Sequence, residues 1–209
     1  MDVRAKILEE ATRLFAAQGV DGTAIQQIAD AVGVAKPSLL YHFQSKEALH
    51  RSVLEHLLSR WTEIVPRLLH AVAREDRFDA ILDATIEFFA ADPDRARLLL
   101  REALDRPVEM RELLSKHVAP WLGVIVESIA KAQADGSMRA DIDPEAYVLQ
   151  VIHLVVGTFT TGLTLQTLLG NGHKRRGGAV DRRLIDELKR ISRLAVMTHS
   201  YSINSHQRK

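Results

Sequence analysis

Cysteine is absent from the 209-residue chain. That excludes disulfides, thiolate metal sites and cysteine redox sensing, and it is compatible with a reducing cytoplasm. Net charge is nearly absent too: 28 Lys and Arg stand against 27 Asp and Glu, a formal +1. A polybasic chain that coats nucleic acid or membrane by charge alone is thereby excluded. No long hydrophobic run goes uninterrupted. The most apolar stretch, 148–169, is broken by Gln150, His153, Gln166 and several threonines, so it reads as a buried helix and not a membrane span. The opening residues Met1-Asp2-Val3-Arg4-Ala5-Lys6 lead straight into an amphipathic helix and lack a signal peptide's apolar core. The expectation is a cytoplasmic protein with no membrane partner. Neither a His-Glu-x-x-His zinc motif nor a nucleophile elbow occurs, so no catalytic residue, metal or cofactor is expected.

What the chain does have is helical periodicity. At 46% hydrophobic and 26% charged it has an ordinary globular composition, and it is long enough for one large or two small domains. Ile7, Ala11, Leu14 and Phe15 make a first stripe, stopped by Gly19. A longer helix from Lys46 carries Leu49, Val53, Leu57, Trp61 and Ile64 on one side and meets Pro66 near its end. A helix from about Arg77 shows Phe78, Ile81, Leu82, Thr85, Phe88 and Phe89. Asp92-Pro93 is a cap and first-turn pair for the next, with Leu99, Leu100, Ala103 and Leu104 expected inside. Pro107 opens a long helix to about Asp135-Gly136, kinked at Pro120. Asp143-Pro144 opens an apolar helix to about Leu169, and Asp181 opens the last, with Leu184, Leu188, Ile191, Ala195 and Thr198 in register. The run Arg97, Arg101, Glu102, Asp105, Arg106 reads as a solvated ion-pair face. The segment 170–178 reads as a flexible, solvated loop and 202–209 as a disordered tail. No segment shows strand alternation. The expected fold is all-α.

Residues 23–46 are the most specific segment. Ile25, Ile28, Ala29 and Val32 mark one buried helical stripe, and Thr23 with Gln26 has the spacing of a capping box. Gly33 suits the left-handed residue that ends the helix and turns the chain. Pro37 suits the first turn of a second, short helix in which Leu39 and Phe43 point inward. Lys36, Ser38, Tyr41 and His42 then face outward, able to donate to phosphates or base edges. This is a helix-turn-helix.

The same residues resemble the tetracycline-repressor (TetR) family of bacterial transcription regulators. The family's first helix ends in Phe, small residues and Gly, as in Leu14-Phe15-Ala16-Ala17-Gln18-Gly19. Its second ends in Ala-x-Gly-Val, as in Ala31-Val32-Gly33-Val34. The recognition helix matches Lys36-Pro37-Ser38-Leu39-Leu40-Tyr41-His42-Phe43, and the following segment Ser45-Lys46-Glu47-Ala48-Leu49. The resemblance covers about the first 55 residues. It implies a three-helix DNA-binding domain at 1–48 and a helical effector-binding and dimerisation domain at 49–209. It also implies DNA contact by Lys36, Pro37, Ser38, Tyr41, His42 and Lys46, with Gln26 and Thr23 behind them. Lys46, after a Ser45 cap, reads as a phosphate anchor that positions without reading sequence. One departure stands out: Leu40 occupies a position where the family commonly has a phosphate-contacting Tyr. Over residues 1–50 five basic side chains face six acidic ones, so the electrostatic footprint must be a local patch.

The helix at 146–169 is apolar around most of its circumference and must be covered on all sides. Paired with the last helix, at about 181–200, it resembles the family's dimer interface, and two recognition helices on a two-fold axis call for a palindromic operator. By the resemblance the middle helices hold an effector. Candidate lining residues are Trp61, Thr85, Phe88 and Phe89, then Met110, Leu114, His117 and Trp121 on one face, with His153 and Thr160 from the apolar helix. Such pockets are mainly apolar with a few fixed donors, which suits a small apolar or amphipathic molecule. Taken singly, each of these residues reads first as ordinary core. The reading is of a homodimeric repressor released from its operator by a small molecule. An effector-independent architectural DNA-binding factor and a helical enzyme are the alternatives.

Overall fold

The computed structural model describes residues 2–71, 77–169 and 182–198. Among them the chain forms α1 (Val3–Gly22), α2 (Ile25–Val32), α3 (Lys36–His42), α4 (Lys46–Ala71), α5 (Arg77–Ala90), α6 (Asp94–Asp105), α7 (Pro107–His117), α8 (Ala119–Ala134), α9 (Pro144–Thr160), α10 (Gly162–Leu169) and α11 (Arg182–Val196). The only bridge among these residues joins Met138 to Met197. The fold is all-α, with the helix-turn-helix at its N-terminal end. The loop at 170–178, Asp181 and the tail lie outside the described residues. No described helix is long and apolar enough to cross a membrane.

The core begins in α1. Ile7, Ala11, Leu14 and Phe15 are buried as one stripe, and Ile28, Ala29, Leu39 and Phe43 close over it from α2 and α3. From α4, Leu49, Val53 and Leu57 extend the same core into the body, where Leu82, Phe88 and Phe89 of α5 and Val155 and Phe159 of α9 continue it. Gly19 breaks the regular path of α1 at φ 77° and ψ 165°, a region open to glycine alone at low cost. Pro66 lies within α4, which continues to Ala71.

Several boundaries differ from the expectation. The helix expected to kink at Pro120 is two helices. Pro120 cannot donate to the preceding turn, so the chain breaks at Val118 (φ −114°, ψ −44°) and Pro120 sits in the first turn of α8. The apolar helix opened by Asp143, whose carboxylate accepts from the amides of Glu145 and Ala146, ends at Thr160, and α10 follows. In α11 the buried positions are Leu188, Ser192 and Val196, whereas Ile191 faces outward. The reason is ionic. Lys189 pairs with Asp83 at 2.7 Å and Arg193 with Asp79, both on α5, and the Tyr147 hydroxyl of α9 donates to Ser192 O at 2.6 Å. Burial, reinforced by the Asp79 charge, holds the Tyr147 phenol well above its ordinary pKa.

The largest correction concerns α6. Its buried residues are Ala96, Leu98 and Glu102, while Leu100, Ala103 and Leu104 point to solvent. Only part of the charged run is a solvated face; the rest is the side of α6 that docks on the head. Glu102, 2% exposed, stands 2.9 Å from His50 Nε2 of α4, and the His50 ring meets Phe15 edge-on at 5.6 Å. Arg106 pairs with Asp21 at 3.1 Å, and the Arg101 guanidinium packs over Gly19, its Nη1 3.1 Å from where a Cβ there would stand. The two buried groups make an ion-pair contact without hydrogen-bond alignment.

Removing one partner of a buried polar pair strands the other. Glu102→Leu alone is therefore expected to lower the unfolding free energy by about 1–3 kcal/mol. Glu102→Leu combined with His50→Leu should regain part of that loss, as measured by urea unfolding of the double variant and both single variants. Simple additivity of the two single losses would contradict the coupling.

Candidate nucleic-acid interface

The turn between α2 and α3 is closed by backbone geometry. Gly33 adopts φ 77° and ψ 32°, its amide donates to Asp30 O at 3.1 Å, and the Val34 amide donates to Ala29 O at 2.9 Å. This paired arrangement requires a left-handed residue, which glycine supplies without a Cβ clash. Ala35 is extended, and Pro37 falls in the first turn of α3, where a missing amide proton costs nothing. Leu39 is fully buried and Phe43 almost so. That fixes the rotation of the short helix.

The opposite edge faces solvent. Lys36, Pro37, Ser38 and Tyr41 are exposed, Tyr41 at 86%. His42 is half-buried, its ring 5.7 Å from that of Tyr41 in a T-shaped pair. Leu40 is half-buried as well, so it adds no polar group to this edge. Gln26 is exposed on α2, and its amide donates to Asp30 at 2.6 Å. Ser45 caps α4 by accepting from the Ala48 amide at 3.0 Å. The same hydroxyl and the backbone amide at Glu47 hold the Glu47 carboxyl below its usual range.

Two expected contacts are placed differently. Thr23 is 1% exposed, and its hydroxyl donates back to Gly19 O at 2.7 Å, so it ends α1 and does not cap α2. The N-cap of α2 is Ala24, which has no capping side chain. Thr23 therefore offers DNA no side-chain group. Lys46 is half-buried, with Nζ 3.4 Å from Thr23 O. It ties the start of α4 to the α1–α2 corner, and one ammonium can do this while still facing a phosphate.

The comparisons bear on both halves of the chain. The model described as bacterial regulatory proteins, tetR family, matches residues 7–53, and that described as tetracyclin repressor-like, C-terminal domain, matches residues 75–185. The chain belongs to the TetR family. This TetR-family regulator is 33% identical over 151 residues to the HTH-type transcriptional repressor KstR2 of Rhodococcus jostii, covering 68% of this chain and 71% of that one. With the HTH-type transcriptional regulator RutR of Escherichia coli it shares 34% identity over 108 residues, 51% of each chain. Among solved structures, KstR2 of Mycobacterium tuberculosis superposes with a TM-score of 0.74 at 17% identity, over 95% of this chain and 96% of that one. AibR in complex with isovaleryl coenzyme A and operator DNA gives 0.70 at 21%, over 91% and 97%. At those identities the structures show the shared fold.

The residues expected to line an effector site of this TetR-family chain are only partly together. Trp61 and Phe88 lie 5.1 Å apart, Phe88 and Phe89 5.0 Å, and Phe159, missed in the sequence, 6.1 Å from Phe89. Arg95 crosses the Phe88 ring at 4.8 Å and donates to Phe88 O. Thr85 and Thr160 are half-buried, their hydroxyls donating to Ile81 O and Val156 O one turn back. Met110 is buried. Leu114 is 37% exposed, Trp121 belongs to a separate helix beyond the break at Val118, and His153 faces solvent. His117 lines a different cleft, between α1, α4 and α7. Glu47 and His50 have Glu-x-x-His spacing, but His50 pairs with Glu102, and no cluster of three metal-binding side chains occurs among the described residues.

This placement separates the exposed edge of α3 from the residues that hold the fold. Alanine at Lys36, Ser38 or Tyr41 should leave stability within about 0.5 kcal/mol of the native chain. Thr23→Val, which removes a buried hydroxyl donor and leaves its carbonyl partners short of it, should cost about 1–3 kcal/mol. Urea unfolding of the four variants checks the division, and a destabilised Tyr41→Ala or a neutral Thr23→Val would contradict it.

Proposed function

We propose that the protein is a homodimeric repressor that binds a palindromic operator through α3 and is released by a small apolar or amphipathic effector. The observation that carries the reading is the outer edge of α3: Lys36, Pro37, Ser38 and Tyr41 stand exposed beside one another while Leu39 and Phe43 anchor the helix from behind. Lys36 and Lys46 serve phosphates, Ser38, His42 and Gln26 are the base-edge readers, and Tyr41 spans the two roles. The KstR2 proteins are repressors by name. AibR has been solved with an acyl-coenzyme A and operator DNA together. The first supports repression, and the second supports a DNA-binding head answering to a bound small molecule.

Dimerisation is supported by the faces left open on α9 to α11. Leu149, Leu154, Leu165, Leu168, Ile191 and Leu194 are exposed, and a cleft of about 360 Å³ between α9 and α11 is lined by Ala146, Val151, Leu154, Ile191 and Ala195 among others. Exposed apolar side chains gathered on three neighbouring helices suit a partner surface. A second copy related by a two-fold axis supplies it and sets two α3 edges toward two half-sites.

The effector site we assign is the aromatic cluster of Trp61, Phe88, Phe89 and Phe159, with Thr85 and Met110 beside it. Its rings pack on one another, so a ligand must displace them and binds with the affinity reduced by that cost. Trp61 is on α4, the helix whose first turns hold Lys46 and His50. A ring displaced at Trp61 moves α4 and, through it, the head. For release, the effector must bind the DNA-free arrangement better than the DNA-bound one.

Selection of bound fragments from genomic DNA tests the reading, run beside the surface variant Lys36→Ala, Tyr41→Ala. A discrete inverted repeat recovered by the native protein, and at least about tenfold weaker for the variant, is the expected outcome. Equal recovery by both, or no enrichment by either, would overturn the assignment of α3.

A further inference from the structure

A second cleft, of about 310 Å³, opens between α1, α4 and α7, at the lower end of the range that small-ligand pockets occupy, about 300–1,000 Å³. Its lining is polar and draws on the head and the body together. Arg4 comes from α1, Ser52 and His56 from α4, and Lys116 and His117 from α7, with Glu55 as the acidic member. Lys116 Nζ and Glu55 Oε1 are 3.8 Å apart, a loose exposed pair whose contribution is small. The His117 Nε2 is buried without a hydrogen-bond partner. A buried ring nitrogen left unpaired in a polar cleft calls for a group to meet it.

Positive charge outweighs negative around the cleft, with Arg4, Arg60, Arg95 and Lys116 against Glu55 and Glu63. Burial lowers the His56 pKa, and the charges of Arg60, Arg4 and Arg95 lower it further, with Glu63 opposing. Guanidinium groups that disfavour a proton on His56 favour an anion beside it. Arg4 also stacks on the ring of Phe43 at 5.1 Å. A guanidinium engaged through its face keeps its in-plane N–H donors for an oxyanion. Phe43 is the residue that ends the recognition helix.

We propose that this cleft is a binding site for a compact oxyanion, a phosphate or carboxylate group, held by Arg4, Lys116, His117 and the Ser52 hydroxyl. An anion seated there draws on the same Arg4 that packs against Phe43, so occupancy is felt at the end of α3. The cleft shares no lining residue with the aromatic cluster. Its existence does not rest on operator binding, although any effect on operator affinity does.

The test uses the full chain without DNA. The ring C–H resonances of His56 and His117 and the ring protons of Phe43 are followed by NMR while sodium phosphate replaces sodium chloride at constant ionic strength, with sodium acetate as a parallel titration. Saturable shifts at the histidines and at Phe43 with one shared midpoint are expected, together with a rise in the His56 titration midpoint when phosphate is bound. Response to phosphate alone or to both anions separates a phosphate site from a general carboxylate site. Arg4→Gln, Lys116→Gln should weaken binding by about tenfold. Glu55→Gln, which removes the opposing charge, should tighten it by several-fold, a gain that no unfolding can mimic. Non-saturable shifts equal to those in chloride, or a midpoint unmoved by all three substitutions, would overturn the site.

Discussion

The packing of α6 against α1 is the constraint on which the rest depends. The first three helices by themselves bury little surface, and a unit of that size is marginal alone. Here it is completed from outside. Phe15 is fully buried where α1 meets the His50 ring of α4, and Glu102 of α6 closes on the far side of that ring. Asp21–Arg106 and the Arg101 side chain over Gly19 fasten the other end of α1. The head thus uses the body as part of its own core. The direction in which α3 presents its outer edge is set by the helices that carry the effector-site candidates.

Charge is used locally in this protein, in keeping with a net charge near zero. The ion pairs of α11 with Asp79 and Asp83 turn its apolar side chains Ile191 and Leu194 outward. On α6, Glu102 meets His50 behind Phe15, while Arg101 and Arg106 lie over Gly19 and Asp21 at the end of α1. A hydrophobic-stripe argument misses both, because it assumes that charge faces water and that apolar residues face the core. In α11 the partner is a specific opposite charge on α5, and in α6 it is a buried imidazole on α4; each outweighs the generic preference.

The legible parts of the chain were those governed by local rules. The stripe of α1, the buried side of α2 and α3, the turn at Gly33, the caps at Ser45 and Asp143 and the opening of α7 at Pro107 each follow from nearest-neighbour chemistry. The fixed order of residues 23–46 carried the resemblance, and the family comparisons agree with it. The illegible parts depend on contacts distant in sequence. Thr23 has the spacing of a capping box, yet its hydroxyl finds Gly19 O in the preceding helix first. Leu100 and Leu104 look like core until Glu102 is placed against His50. Phe159 joins Phe89 across about 70 residues of sequence, a separation no local period reports. The helix across Pro120 fails for a local reason: the ring removes a donor within one turn of Val118, and a break satisfies the backbone better than a kink.

Head and body form one cooperative unit joined at the α1–α6 junction. Native-state hydrogen exchange on the full chain checks this by comparing amides in α1 around Phe15, in α4 around Val53 and in α6 around Leu98. All three should exchange through the same global opening, with equal free energies that fall together in the Glu102→Leu variant. Head amides that open several kcal/mol more easily than those of α6, with a free energy untouched by that substitution, would instead mean a head that folds independently.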